Sequence, residues 1–201
     1  MRSLSEIETA VKRASRAVGF SWGVSEEVGK SIRLLELFGL PGIRNLNQYY
    51  KEKEIKKFKN LNSISKKNTT QEAFCPITLG VSFLDQIKVI ENLETINFEK
   101  IAYPLIFLSF LSRASEISGK KICVKFDQHE ILLNLNVNIF SNEFTKDFSK
   151  CSNVEVKFLD NQDNFTESEW NNLYKLAENT FVEESDSLKQ SGAGAGLTDN
   201  D

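Results

Sequence analysis

The chain of 201 residues carries 25 basic and 28 acidic side chains, a net charge of -3, and 40% hydrophobic residues, fifteen of them Phe. That length suits one domain with its own core, and the near-neutral balance excludes a strongly basic polyanion binder and a strongly acidic class. Three cysteines, Cys75, Cys123 and Cys151, are odd in number and widely spaced, which fits neither a disulfide framework nor a zinc module and points to reduced thiols in a cytoplasm.

Glu6 and Glu8 interrupt the opening turns, so no signal peptide is expected there. A first helix starts instead, with Ser3 and Glu6 at capping-box spacing, Leu4, Ile7, Val11, Ala14 and Val18 on one stripe, and Gly19 as its stop. A connector, Phe20-Ser21-Trp22-Gly23, leads to Ser25 as the N-cap of a second helix, with Glu26 and Glu27 in its first turn and Val28, Ile32, Leu35 and Phe38 inward. Gly39 and Pro41 close it, which makes an antiparallel helical hairpin.

A third helix is expected from Ile43 to about Lys59, and residues 60–71, rich in Asn, Ser, Thr and Lys, read as an internal loop. Phe74 to Ile77 and Val81 to Phe83 read as extended or tightly packed segments, with Gly80 marking a close backbone approach. The most apolar stretch, Ile101 to Leu111, is about half the length of a membrane span, so it reads as a buried helix and no membrane contact is expected. Pro104 suits the first turn of a helix over Leu105 to Ser118, and Gly119 its end.

Lys121 to Phe126 and Ile131 to Leu135 alternate with period two around a turn at 127–130 that holds His129, the only histidine. Val154 to Phe158 reads as a third strand, and Thr166-Glu167 begins a last helix through Trp170, Leu173 and Leu176 to about Asn179. The expected fold is α+β: an N-terminal helical hairpin and further helices packed with a small, mainly antiparallel sheet. Residues 1–180 are expected to form one globular domain, and 181–201 a polar, Gly/Ala-rich acidic tail.

Two segments carry a resemblance: Ser3 to Lys30, with Arg13-Ala14, Arg16, Trp22-Gly23 and Glu26-Glu27, and the closing Gly192-Ala193-Gly194-Ala195-Gly196-Leu197-Thr198-Asp199-Asn200-Asp201. Together with Cys75-Pro76, Gly80, Asp85 and Pro104, they resemble a bacterial family of similar length known as a domain of unknown function. The resemblance implies a bacterial, cytoplasmic protein and brings no activity or ligand with it.

The sharpest local candidate is the hairpin connector, where Arg13, Arg16, Trp22, Glu26, Glu27 and Lys30 converge if the helices pack antiparallel. Guanidinium groups and a helix N-terminus can hold a carboxylate or phosphate, with Glu26 or Glu27 as a base if burial raises its pKa. Interhelical ion pairing and a packed Trp explain the same residues without a ligand. Cys75 is a candidate nucleophile or a small buried hydrophobe.

Gly192, Gly194 and Gly196 can present backbone amides to an anion, although no strand precedes them and no helix follows, as a dinucleotide fingerprint requires. The tail is then a lid, a partner arm or a disordered end. Asp199 and Asp201 lack the Gly and distal Glu of a calcium loop, so no metal site is expected. Lys51, Lys53, Lys56, Lys57, Lys59, Lys66 and Lys67 lack interleaved arginines, so a solvated helix is expected and nucleic acid is a poor fit. The function expected is a small-molecule enzyme or ligand-binding protein for an anionic metabolite. The alternative is a noncatalytic accessory protein of a metabolic complex that works through its tail. The sequence names no cofactor.

Overall fold

A computed structural model describes residues 2–127, 129–136, 138–141, 150–160 and 164–180. The chain divides into two units, Met1–Asn161 and Gln162–Asp201.

The first unit opens with α1 (Leu4–Ala17), where Ser3 Oγ accepts from the Glu6 N–H as its capping position requires. Gly19, at φ +98°, turns the chain into α2 (Trp22–Leu37). The cap of α2 is Ser21, whose Oγ accepts from the Val24 N–H, rather than Ser25. Both serines fit a capping pattern, but Ser25 and Gly29 are the small buried residues that face α1: a Cβ on Gly29 would lie 3.0 Å from the Glu8 carbonyl oxygen. The helix therefore starts one turn early, and Trp22 belongs to it.

Helix α3 (Gly42–Lys53) ends well before Lys59. The Ile55 and Lys56 N–H groups both close on the Glu52 carbonyl, and the chain then extends so that Phe58 packs on Tyr49, 5.2 Å between ring centroids. An apolar residue that looked like the next helical turn is an anchor for extended backbone. Strand β1 (Lys67–Asn68) lies inside the expected loop.

The segments Phe74 to Ile77 and Val81 to Phe83, expected to be extended or tightly packed, meet in one helix, α4 (Pro76–Asp85), capped by Cys75, with Pro76 in its first turn. It is apolar on most sides, so period could not separate helix from strand. Gly80 does mark a close approach: a Cβ there would sit 2.3 Å from the Phe110 ring. A short α5 (Ile87–Ile90) precedes β2 (Ile96–Ala102). Ile101 and Ala102 thus end a strand, and α6 (Pro104–Ser118) begins after Tyr103 and ends at Gly119, φ +70°.

Strands β3 (Lys121–Phe126) and β4 (His129–Asn134) form the expected hairpin, with a shorter turn: His129 pairs with Phe126 and is a half-buried strand residue, not a turn residue. Strands β5 (Asn138–Ser141) and β6 (Lys150–Leu159) complete a six-stranded sheet in the order β1-β2-β6-β3-β4-β5. All pairs are antiparallel except β1 with β2, so the class is α+β.

One sheet face carries Ile96, Phe98, Ile122, Val124, Phe126, Ile131, Leu133, Val154 and Val156, all buried. The alternate residues, Glu99, Lys121, Lys125, Glu130 and Lys157, are exposed, the pattern of an antiparallel sheet covered on one side. Helix α6 packs on β3 and β4 and also meets α2, α3, α4 and α5. Phe107 and Phe110 are fully enclosed there, and Phe83, Phe98 and Phe107 contact one another within 6.4 Å. Burying one such ring is worth about 2–3 kcal/mol.

In the second unit the described residues hold α7 (Glu167–Glu178), closed by a reciprocal capping box between Thr166 and Glu169. No residue of α7 is buried. Among the described residues no helix is long and apolar enough to cross a membrane.

Candidate functional site

The predicted hairpin cluster is divided between two faces of α2. Because that helix starts at Trp22, Trp22 and Glu26 are one turn apart on one face, and Glu27 and Lys30 share the next. On the first face Lys12 of α1 bonds Glu26 at 2.5 Å and stands 5.8 Å over the Trp22 ring, while Arg16 lies 5.6 Å over that ring and donates to the Phe20 carbonyl. Arg13 is exposed on α1. Trp22 is 56% exposed. The Lys12 hydrogen bond holds the Glu26 carboxyl below its ordinary value, opposite to what a general base needs.

On the second face Glu27 bonds Lys30 at 3.0 Å and Arg113 of α6 at closer range. Burial works to raise the Glu27 pKa, but these two cations together hold it below its ordinary value.

Cys75 is buried behind α4. Its Sγ lies 2.9 Å from the Tyr49 hydroxyl and accepts from the Thr78 N–H at 3.4 Å, so it caps the helix and fills the core. Gly192, Gly194, Gly196, Asp199 and Asp201 lie outside the described residues. Among those described, no three His, Cys, Asp or Glu side chains gather to hold a metal ion.

A cleft of about 500 Å³ lies elsewhere, at the end of α3 and the kinked end of β2. Three separate segments build it. The Phe74 N–H donates to the Lys100 carbonyl and the Ala102 N–H to the Phe74 carbonyl; on the other side the Lys59 N–H donates to Ala73 and the Cys75 N–H to Lys59. Lys59, Phe74 and Ile101 therefore run side by side in parallel, which sets Phe58 and Ala73 beside Tyr103.

Lys100 and Tyr103 both sit in the left-handed region, at φ 48° and 47°. Pairing on either side of Lys100 keeps one register, Glu99 with Asn153 and Ile101 with Cys151, so Lys100 is a kink and not an inserted residue. Each such non-glycine residue costs roughly 1–3 kcal/mol, a strain that concentrates at functional sites when the surroundings sustain it.

Phe58, Ala73, Ile101, Ala102 and Tyr103 give the cleft an apolar floor, and Lys56, Lys57 and Lys100 stand on its rim with Glu52 and Glu72. Lys56 pairs with Glu52 at 3.3 Å. Burial, reinforced by the Glu52 carboxylate, pushes the Tyr103 hydroxyl up to about 12, and burial pushes the Cys151 thiol up to about 12. Both are protonated at neutral pH, and Cys151 Sγ donates to the Asn153 carbonyl at 2.9 Å. Their resting forms suit hydrogen-bond donation rather than nucleophilic attack.

Sequence reasoning assigned Lys56 and Lys57 to a solvated helix and did not single out Lys100, Tyr103 or Cys151. The lysines do not form one stripe: Lys53 donates to the Val18 carbonyl 5.0 Å over the Phe20 ring, Lys56 and Lys57 face the cleft, and Lys67 is in β1. The proline after Tyr103 biases that residue to extended backbone, so no local signal announces its left-handed turn.

A family model described as a protein of unknown function (DUF3726) matches residues 2–75, from α1 through α3 to the Cys75 cap. Neither a curated protein nor a solved structure matches the chain.

Proposed function

We propose that the protein is a bacterial, cytoplasmic ligand-binding protein for an anionic small molecule with an apolar body. The family resemblance and three free thiols support the setting. The observation that carries the ligand reading is the strained pair Lys100 and Tyr103 at one cleft with an apolar floor and a lysine rim. An aromatic or branched apolar group fits against Phe58, Ala73 and Tyr103, and a carboxylate or phosphate meets Lys57 and Lys100. Concave, mostly apolar sites with few polar groups are the usual form of small-molecule pockets.

The test is thermal stabilisation by 2-naphthoate against the neutral 2-naphthamide. The carboxylate is expected to raise the melting temperature and the amide not to, and Lys57→Gln with Lys100→Gln is expected to abolish the difference. Equal effects of acid and amide on the unaltered protein refute the reading.

The second reading, an interaction protein, is supported by α7. Trp170, Leu173, Tyr174 and Leu176 are 47–67% exposed along a capped helix, and twelve residues are too few for stable helix without packing. Apolar helix faces of this type dock in grooves of partners. A partner bound by the full chain and lost in Leu173→Asp supports this reading; identical binding by both chains removes it.

A further inference from the structure

Four residues of α2, Lys30, Arg33, Leu34 and Leu37, lie at the spacing that makes one stripe. With Arg113 of α6 and Asn136 of the β4–β5 turn they line a second cleft, of about 260 Å³. Arg113 is the only charged residue of α6 before Glu116, and its side chain is 17% exposed. A guanidinium kept at the edge of so apolar a helix requires an anion.

In the free protein Glu27 supplies that anion: Oε2 accepts from Arg113 and Oε1 from Lys30. Arg33 engages Glu8 of α1 at 3.1 Å. Each arginine meets its carboxylate through Nη1, and a guanidinium carries five N–H donors in a planar fork, so capacity for further acceptors remains on both. Asn136 is held at the rim in the left-handed region, φ 61°, accepting from Ser112 Oγ and donating to Glu116, both at 3.0 Å. Preceding it, Leu135 is also left-handed, φ 53°. Two consecutive strained residues fix this rim, and the side-chain bonds to α6 sustain them.

Lys30, Arg33 and Arg113 stand against Glu27, Glu8 and, through Asn136, Glu116, so it is the unused guanidinium donors rather than excess charge that suit the cleft to an anion, and Glu27 already demonstrates that Lys30 and Arg113 bracket the two oxygens of one anion. We infer that the α2–α6 cleft is a binding site for a phosphate group, held by Lys30, Arg33 and Arg113, with the Glu27 carboxylate as the internal anion that it competes against. The site is independent of the cleft at Tyr103. The phosphate is either inorganic phosphate or the headgroup of a phosphate monoester, and the chemistry of recognition is the same.

The experiment is thermal shift and equilibrium titration of the full chain with inorganic phosphate and with a simple alkyl phosphate monoester, against chloride at equal ionic strength. At least one phosphate species is expected to stabilise the protein beyond chloride; response to both assigns the phosphate group alone, and response to the monoester alone assigns an esterified ligand. Arg33→Gln, at an exposed position, and Lys30→Gln are expected to weaken binding about tenfold each, the scale of one charge-assisted hydrogen bond. Glu27→Gln is expected to tighten it by a similar factor, since it removes the competitor and leaves both cations. Ion pairs that serve only to clamp helices predict no gain in phosphate response in the Glu27→Gln chain. Phosphate acting no differently from chloride, or a Glu27→Gln chain without tighter binding, overturns the assignment. If Glu27→Gln does not fold, an unchanged response in the two α2 variants overturns it equally.

Discussion

The α1–α2 and α4–α6 crossings both rest on a glycine, yet they are held by different forces. At the first, Gly29 lets α2 approach the α1 backbone, and the seam is bordered by Lys12–Glu26 and Arg33–Glu8 pairs on exposed side chains. At the second, Gly80 admits the face of Phe110, and Leu79, Phe83, Phe107 and Leu111 on the same two helices are all fully buried. Exposed pairs contribute little and are screened by salt, whereas an enclosed ring packed at crystal-like density has nowhere to move. The first crossing is tolerant and tuned at its edges; the second is specified by shape.

The largest effect expected from this contrast is at Gly80. Gly80→Ala places a methyl 2.3 Å from a ring that is itself fully buried, and overpacking should cost about 2–3 kcal/mol even after the helix-propensity gain of alanine. A lower urea midpoint with an unchanged slope checks it.

Next is Glu27, which ties α2 to α6 at the border between the two regimes. Glu27→Gln removes the carboxylate that Arg113 needs, at a cost of about 1–2 kcal/mol, less than for a fully buried pair because Glu27 is partly exposed. Its folded pKa is depressed, so its stabilisation is complete above the ordinary carboxylate value and is lost as pH falls through the folded one. The gap between wild type and variant should therefore stay constant from neutral pH downward and close only in acid, below the ordinary carboxylate value of 4.5.

Gly29→Ala should have the smallest effect, within about 1 kcal/mol, because the gain in helix propensity offsets a contact at 3.0 Å that a small shift of α1 relieves. A loss at Gly29 equal to that at Gly80 would break the comparison.

Elements with local punctuation were legible in the sequence. Ser3, Pro104, Gly119 and Thr166 mark the ends of α1, α6 and α7 through caps and fixed dihedrals, and period two exposes β3, β4 and β6. The ambiguous places had two competing local answers, Ser21 against Ser25, or no usable period, as in α4. Cys75-Pro76 was a readable cap and first turn. The cleft was not legible, because it depends on Lys59, Phe74 and Ile101 meeting across the chain, and on left-handed Lys100 and Tyr103, which are residue types that give no warning of that conformation. Of the predicted cluster, Lys30 does reach a basic cleft, but through Arg113, far along the chain. Arg113 is the last arginine of the sequence, standing alone in a run of Leu, Phe and Ile, and that isolation was the signal to follow.

The row through Phe74 also bears on where such a chain can be cut. The matched stretch ends at Cys75, yet its final residues are stitched to β2, whose Lys100 and Ala102 bond both polar groups of Phe74. The border of the match is thus not a border of the fold. A fragment cut there would keep Lys59 beside Phe74 but lose Lys100 and Ala102, and it would part Tyr49 from the Tyr103 ring.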